Sequence, residues 1–133
     1  MDWIINNLNG MYKEKNNQIK DWWSKKRALY NAGIFISGIV SFILYCFVGY
    51  VFIYSIDEEF EITLFTLFFQ GIGYIFFIII ANLFYNLGYI LDISLNENNS
   101  ESYRNNLFKI GFIATIAVPF SIPILLFIEY VFH

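Results

Sequence analysis

Charged residues are scarce in this chain and are missing altogether from three long stretches. Only 14% of the 133 residues are Asp, Glu, Lys or Arg, whereas about a quarter of the residues in soluble proteins are charged. The uncharged stretches are residues 28–56, 62–91 and 110–128. The first two exceed, and the third just reaches, the roughly 20 helical residues that cross about 30 Å of hydrocarbon.

Short segments of alternating polar and apolar residues, the pattern of a membrane β-strand, are also absent. Only helices then remain to satisfy the backbone N–H and C=O groups inside a bilayer. The sequence therefore predicts an all-α integral membrane protein with three transmembrane helices preceded by a short cytoplasmic or interfacial amphipathic segment. We expect residues 1–27 to form that segment and residues 28–133 the transmembrane domain, with spans at about 28–55, 62–91 and 108–130.

Histidine and cysteine, which build many catalytic and metal sites, occur once each. His133 is the last residue and Cys46 lies inside the first span, so no Ser, His and Asp set, no Cys and His pair and no zinc motif can be assembled. We therefore predict no catalytic residue, no metal site, no cofactor and no enzymatic activity. The net charge of −3, with the cations clustered beside a span, gives no reason to expect a nucleic acid partner.

The few basic residues are distributed unevenly along the chain. Six of the eight precede the first span, two fall between the second and third spans, and none lies in the loop between the first two. In a three-span protein all eight then share one side, which the positive-inside rule assigns to the cytoplasm. We expect the cytoplasmic membrane of a bacterium, with the N-terminus inside and the C-terminus outside. The residues are Lys13, Lys15, Lys20, Lys25, Lys26, Arg27, Arg104 and Lys109.

The N-terminal segment combines bases with aromatic residues. The stretch QIKDWWSKKR places Ile19, Trp22 and Trp23 beside lysines that can reach anionic lipid, a composition typical of an interfacial helix. A break near Gly10 would separate it from a second amphipathic piece at the N-terminus. This segment is interpreted as a positive stop and aromatic anchor, with a tail that binds a partner protein as the alternative.

The second span carries polar side chains on one face. At 100° per residue they fall on one arc of the helix, opposite an arc of Phe, Ile and Leu. They either bond to neighbouring helices or line a polar conduit, and the carboxylate among them is either part of that pathway or the end of the span. The set is Gln70, Tyr74, Asn82, Tyr85, Asn86, Tyr89 and Asp92.

The other two spans contain small residues and prolines. Gly33, Ser37, Ser41 and Gly49 form a small-residue face of the first span that predicts close helix packing. In the third span Pro119 and Pro123 predict a kink, since each removes an N–H and obstructs the carbonyl four residues earlier. The carbonyls freed in this way are either bonded by neighbouring helices or available to a cation, as in some transporters.

Acidic residues collect at the opposite end from the bases. Such a rim concentrates cations at a pore mouth, but the same cluster also suits an ordinary solvated turn. Its members are Asp57, Glu58, Glu59, Glu61 and Glu129.

Taken together, these features predict a small non-catalytic membrane protein that acts as an oligomer or as the membrane subunit or effector of a complex. Its expected partners are the lipid bilayer and either further copies of itself or another membrane protein, because three helices seldom enclose a polar face of this size alone. The alternative is a homo-oligomeric channel or small transporter that uses the polar face of the second span.

Overall fold

The computed structural model describes all 133 residues as an all-helical chain without strands. Helix α1 spans Asp2–Val48 and continues through a π-helical turn at Gly49–Ile53. Helix α2 spans Leu64–Leu95, α3 spans Glu101–Ala117, and α4 spans Ser121–Phe132 after a 3-10 turn at Val118–Phe120. Three continuous helical stretches, Asp2–Ile53, Leu64–Leu95 and Glu101–Phe132, are long and apolar enough to cross a membrane.

Helix α1 joins the basic N-terminal segment to the first apolar stretch without interruption. Its 47 residues correspond to about 70 Å, more than twice the thickness of a bilayer core. Gly10, where a division was expected, lies inside the helix with no side chain near it. The chain has no proline before residue 119, and a lone glycine costs a helix only about 1 kcal/mol. Residues 1–14 are exposed throughout.

Two short linkers define the ends of the bundle. We call the end formed by residues 20–27 and the linker 96–100 the basic end, and the end formed by residues 54–63 the acidic end. The hydroxyls of Thr63 and Ser100 accept hydrogen bonds from the backbone N–H groups of Thr66 and Tyr103, and so cap the starts of α2 and α3. The tight turn between α2 and α3 holds Asn99 at a φ of 50°, a conformation that asparagine tolerates better than most residues.

The two prolines of the third stretch lie at the change from α3 to α4. Pro119 is in the 3-10 turn and Pro123 is in the first turn of α4, where proline is tolerated better than in a helix interior. The carbonyl of Pro119 would accept from residue 123 in a continuous helix, but Pro123 has no N–H to donate. Ser41 of α1 supplies the donor instead, with its Oγ 2.6 Å from the Pro119 oxygen.

The buried core lies in the half of the bundle nearer the basic end. There α1, α2 and α3 converge, whereas towards the acidic end α2 stands apart from α1 and α4. The space left between them is an open cleft of about 650 Å³. The core residues are Ile19, Trp23, Tyr30, Ile34, Ala81, Tyr85 and Phe108.

Candidate functional site

The polar residue at the end of α2 forms a buried ion pair. Asp92 has no exposed surface, and its Oδ2 lies 2.6 Å from Nε of Arg104, which is also buried. Arg104 is in the first turn of α3, twelve positions further along the chain. This is the single ion pair of the protein, and a pair at this depth is stable only if further hydrogen bonds satisfy both groups.

The further bonds to the carboxylate come from two different parts of the chain. Nε1 of Trp23 in α1 donates to Oδ2 of Asp92 at 2.7 Å, and Nδ2 of Asn96 in the linker donates to Oδ1 at 2.8 Å. Together with Arg104 they give the carboxylate three donors, one each from α1, the linker and α3. We call these four residues the Asp92 cluster. It fastens the basic end of the bundle, because every one of the three apolar stretches contributes to it or adjoins it.

The linker forms further hydrogen bonds around this cluster. Asn96 bonds in both directions to Ser100: its Nδ2 donates to the Ser100 carbonyl at 2.9 Å, and its Oδ1 accepts from the Ser100 backbone N–H at 2.7 Å. Nζ of Lys15 donates to the carbonyls of Asn96 and Glu97, at 3.3 and 2.8 Å. The basic N-terminal part of α1 is thus bonded to the α2–α3 linker as well as packed against it.

Three tyrosine hydroxyls connect α1 and α2 on the side of the Asp92 cluster that faces the acidic end. The hydroxyl of Tyr85 donates to the Trp23 carbonyl, and that of Tyr74 donates to the Ile34 carbonyl. In the reverse direction the hydroxyl of Tyr30 in α1 donates to the Ala81 carbonyl of α2 at 2.8 Å. The polar face of α2 is therefore turned towards α1 inside the same chain.

Two more side-chain hydrogen bonds join α1 and α2 along an exposed edge of their contact. Nδ2 of Asn82 donates to Oδ1 of Asn31 at 3.0 Å, and the guanidinium of Arg27 donates to Oδ1 of Asn86. Arg27 also lies over the Tyr85 ring, with Cζ 5.0 Å from the ring centre. We call Arg27, Asn31, Asn82 and Asn86 the amide seam.

Gln70 and Tyr89 complete the predicted polar set, but their side chains make no hydrogen bond within the chain. Tyr89 packs at the edge of the core. Gln70 lies on the wall of the open cleft, together with Ser41 and Tyr45 of α1 and Ser121 of α4. The predicted face is therefore divided: from Tyr74 to Asp92 it meets α1, and at Gln70 it meets the cleft.

The predicted small-residue face of α1 contacts side chains of the same chain. A Cβ on Gly33 would overlap the ring of Phe112, and one on Gly49 would come within 2.5 Å of Phe60. Ser41 is buried against Pro119, while the Ser37 hydroxyl bonds back to the Ile34 carbonyl of its own helix. Gly38, which the four-residue spacing omits, makes the tightest approach, because a Cβ there would overlap Tyr74.

The acidic residues form an exposed turn. Oδ1 of Asp57 accepts the backbone N–H of Glu59 at 3.0 Å, an arrangement that commonly closes a turn. Glu58, Glu61 and Glu129 are exposed and make no ion pair.

Sequence reasoning missed the partners of the polar face. The sequence pattern identifies Arg104 only as a topological charge, Arg27 as a topological charge within the basic anchor, and Trp23 only as part of that anchor. One signal was available: Asp92 and Arg104 are opposite charges at facing ends of two helices joined by a five-residue linker, a spacing that brings them within reach.

Comparison of the chain with protein-family models, curated proteins and solved structures finds no match.

Proposed function

We propose that this protein is a non-catalytic membrane unit that functions within an assembly, inserted with its basic end in the cytoplasm. The Asp92 cluster and the tyrosine bonds hold α1, α2 and α3 as a fixed platform at that end. The cleft towards the acidic end is then the part of the bundle that a further helix completes. That helix belongs to a second copy of the chain or to a partner membrane protein.

The unpartnered Gln70 amide carries this proposal. Gln70 lies inside the uncharged stretch 62–91, nearer to the acidic end, on the wall of an open cleft of about 650 Å³, and its side-chain amide makes no hydrogen bond within the chain. An amide left without a partner in hydrocarbon costs several kcal/mol. Gly71 and Gly73 beside it are exposed with open space above them, so another helix can approach the α2 backbone closely.

Cross-linking in native nanodiscs tests the proposal. With Cys46 replaced by Ala, a Gly73→Cys variant should cross-link to a second copy or a copurifying membrane protein, and particle mass should exceed that of one chain. Gly111→Cys, an equally open glycine of α3, reports random collision and should not cross-link. A monomeric particle in which the Gly73→Cys variant reacts no more than the Gly111→Cys variant would refute the assembly.

The same cleft supports a second candidate function, a homo-oligomeric channel or small transporter. Its walls combine polar groups of Gln70, Tyr45 and Ser121 with the rings of Phe35 and Phe42, as in a site for a small polar or amphiphilic solute. Solute flux into liposomes containing this protein alone, abolished by Gln70→Leu, would favour this candidate. A scaffold or accessory subunit should give no flux.

A further inference from the structure

The amide seam presents hydrogen-bond donors that have no acceptor in the protein. The orientation of its amides follows from their partners. Nδ2 of Asn82 donates to the Ile78 carbonyl at 3.0 Å, and a carbonyl can only accept, so the same nitrogen must face Asn31. Asn31 therefore turns its oxygen towards Asn82, and its amino group is left facing outwards.

The orientation of the Asn86 amide follows from its partner in the same way. Arginine can only donate, so Asn86 must present its oxygen to Arg27. The amino group of Asn86 then has no acceptor, and neither do the remaining N–H groups of the guanidinium. No carboxylate lies within 4.0 Å of Arg27, since the protein has one ion pair and it is elsewhere.

The amide seam is thus a group of free N–H donors that includes a cation without a counter-ion. Arg27, Asn31 and Asn86 are all exposed, and the guanidinium lies over the Tyr85 ring, a contact that favours this position of the cation. An anionic group with several oxygens is complementary to such a group of donors, and arginine binds phosphate through parallel N–H donors.

The position of the seam selects a lipid as the source of that phosphate. Arg27 is the last charge before the first uncharged stretch, and Asn31 lies about 6 Å deeper along the helix. Beyond Asn31, towards the acidic end, the same flank exposes the apolar side chains of Phe35, Ile75 and Ile79. A headgroup at Arg27 would place its acyl chain along them.

We propose that the amide seam binds the phosphate of an anionic phospholipid in the leaflet at the basic end. This inference rests on the proposed membrane insertion but not on the proposed assembly. A bound phosphate would supply acceptors to the free N–H donors of α1 and α2 on the flank where no helix of the chain packs.

Native mass spectrometry of the full chain released from nanodiscs provides the test. Nanodiscs of phosphatidylcholine with phosphatidylglycerol should yield protein that retains phosphatidylglycerol, whereas added inorganic phosphate should not displace it. Arg27→Gln should weaken that retention about tenfold or more, because the lost bonds involve charged partners. Lys25→Gln removes the same charge from an exposed position of the same helix and should leave retention unchanged.

Equal losses in the Arg27→Gln and Lys25→Gln variants would replace the site by diffuse surface attraction and overturn the proposal. Displacement of the retained phosphatidylglycerol by inorganic phosphate would overturn the proposal as well. So would an Arg27→Gln variant whose particle mass changes while its lipid retention does not. Asn31→Ala keeps Arg27 and its ring contact, so it should also reduce retention even where Arg27→Gln does not fold. Particle mass in pure phosphatidylcholine separately reports the assembly.

Discussion

The indole N–H of Trp23 donates to the carboxylate of Asp92 at 2.7 Å, joining residues 69 positions apart. Trp23 reads in the sequence as an anchor at the membrane surface and Asp92 as the charged end of a span. In the structure each is the other's partner in a buried cluster. The bond makes the second half of the N-terminal segment part of the helical bundle, whereas residues 1–14 are exposed.

Removal of one member of the buried ion pair should destabilise the protein strongly. Asp92→Ala leaves the Arg104 guanidinium buried without its counter-ion, which should lower the free energy of unfolding by about 3–5 kcal/mol. Denaturant titration in detergent micelles measures this loss. Asp21→Asn, which alters an exposed carboxylate of α1, should change stability by about 0.5 kcal/mol or less. Equal effects of the two variants would contradict a structural role for Asp92.

The Trp23 indole N–H can be tested separately from the Trp23 ring. Trp23→Phe retains an aromatic ring against Tyr85 but removes one donor from the carboxylate, and should cost about 1–3 kcal/mol. Trp22→Phe is the matched control, since the Trp22 indole N–H makes no hydrogen bond. Measured by thermal unfolding, the Tm should fall for the Trp23→Phe variant and not for the Trp22→Phe variant. Identical shifts would mean that ring volume, not the hydrogen bond, stabilises the site.

Ser41 should matter because of the proline pair in the third stretch. Ser41→Ala removes the donor to the Pro119 carbonyl, with an expected loss of about 0.6 kcal/mol, the average for hydrogen bonds between membrane helices, and of no more than about 1.7 kcal/mol. Ser94→Ala removes only a bond within one helix, to the Ile90 carbonyl, and should be close to neutral. A neutral Ser41→Ala variant would show that the Pro119 carbonyl finds another donor.

Gly38 should tolerate no side chain. Gly38→Ala would force the Tyr74 ring away from α1 and break the bond to the Ile34 carbonyl, with an expected cost of about 1–3 kcal/mol. Gly111→Ala, at a glycine with open space around it, should be neutral or slightly stabilising, since alanine favours helices. A shift in Tm for the first variant and none for the second is the expected result.

The helical stretches were predictable because their signal is local. The uncharged runs 62–91 and 110–128 cover most of the helical stretches Leu64–Leu95 and Glu101–Phe132, and an all-helical fold with three stretches of sufficient length is confirmed. The extent of α1 was less accessible, because a hydrophobic pattern detects the apolar part of a helix and not its basic continuation. Only residues of low helix propensity could end α1 before its basic part, and the single glycine Gly10 lowers that propensity too little.

The partners of the polar face were not predictable from periodicity. A helical projection places Asn82, Tyr85 and Asp92 on one side of α2 but contains no information about the neighbour they meet. That neighbour depends on the tilt and rotation of α1, which the packing of Trp23 and Tyr30 decides. The Gly38 and Tyr74 contact was missed for the same reason, since it falls between the regularly spaced small residues.

Solvent access at Ala81 is the most direct test of the claim that the polar face of α2 is an internal contact. Ala81 is 2% exposed, and its carbonyl accepts the Tyr30 hydroxyl. In protein reconstituted into liposomes, with Cys46 replaced by Ala, an Ala81→Cys thiol should resist a water-soluble thiol reagent. Asn98→Cys, in the exposed linker, should react fully once the reagent reaches both sides. Reaction of the Ala81→Cys thiol at the rate of the Asn98→Cys thiol would mean that water fills the space between α1 and α2, and that the polar face of α2 is not an internal contact.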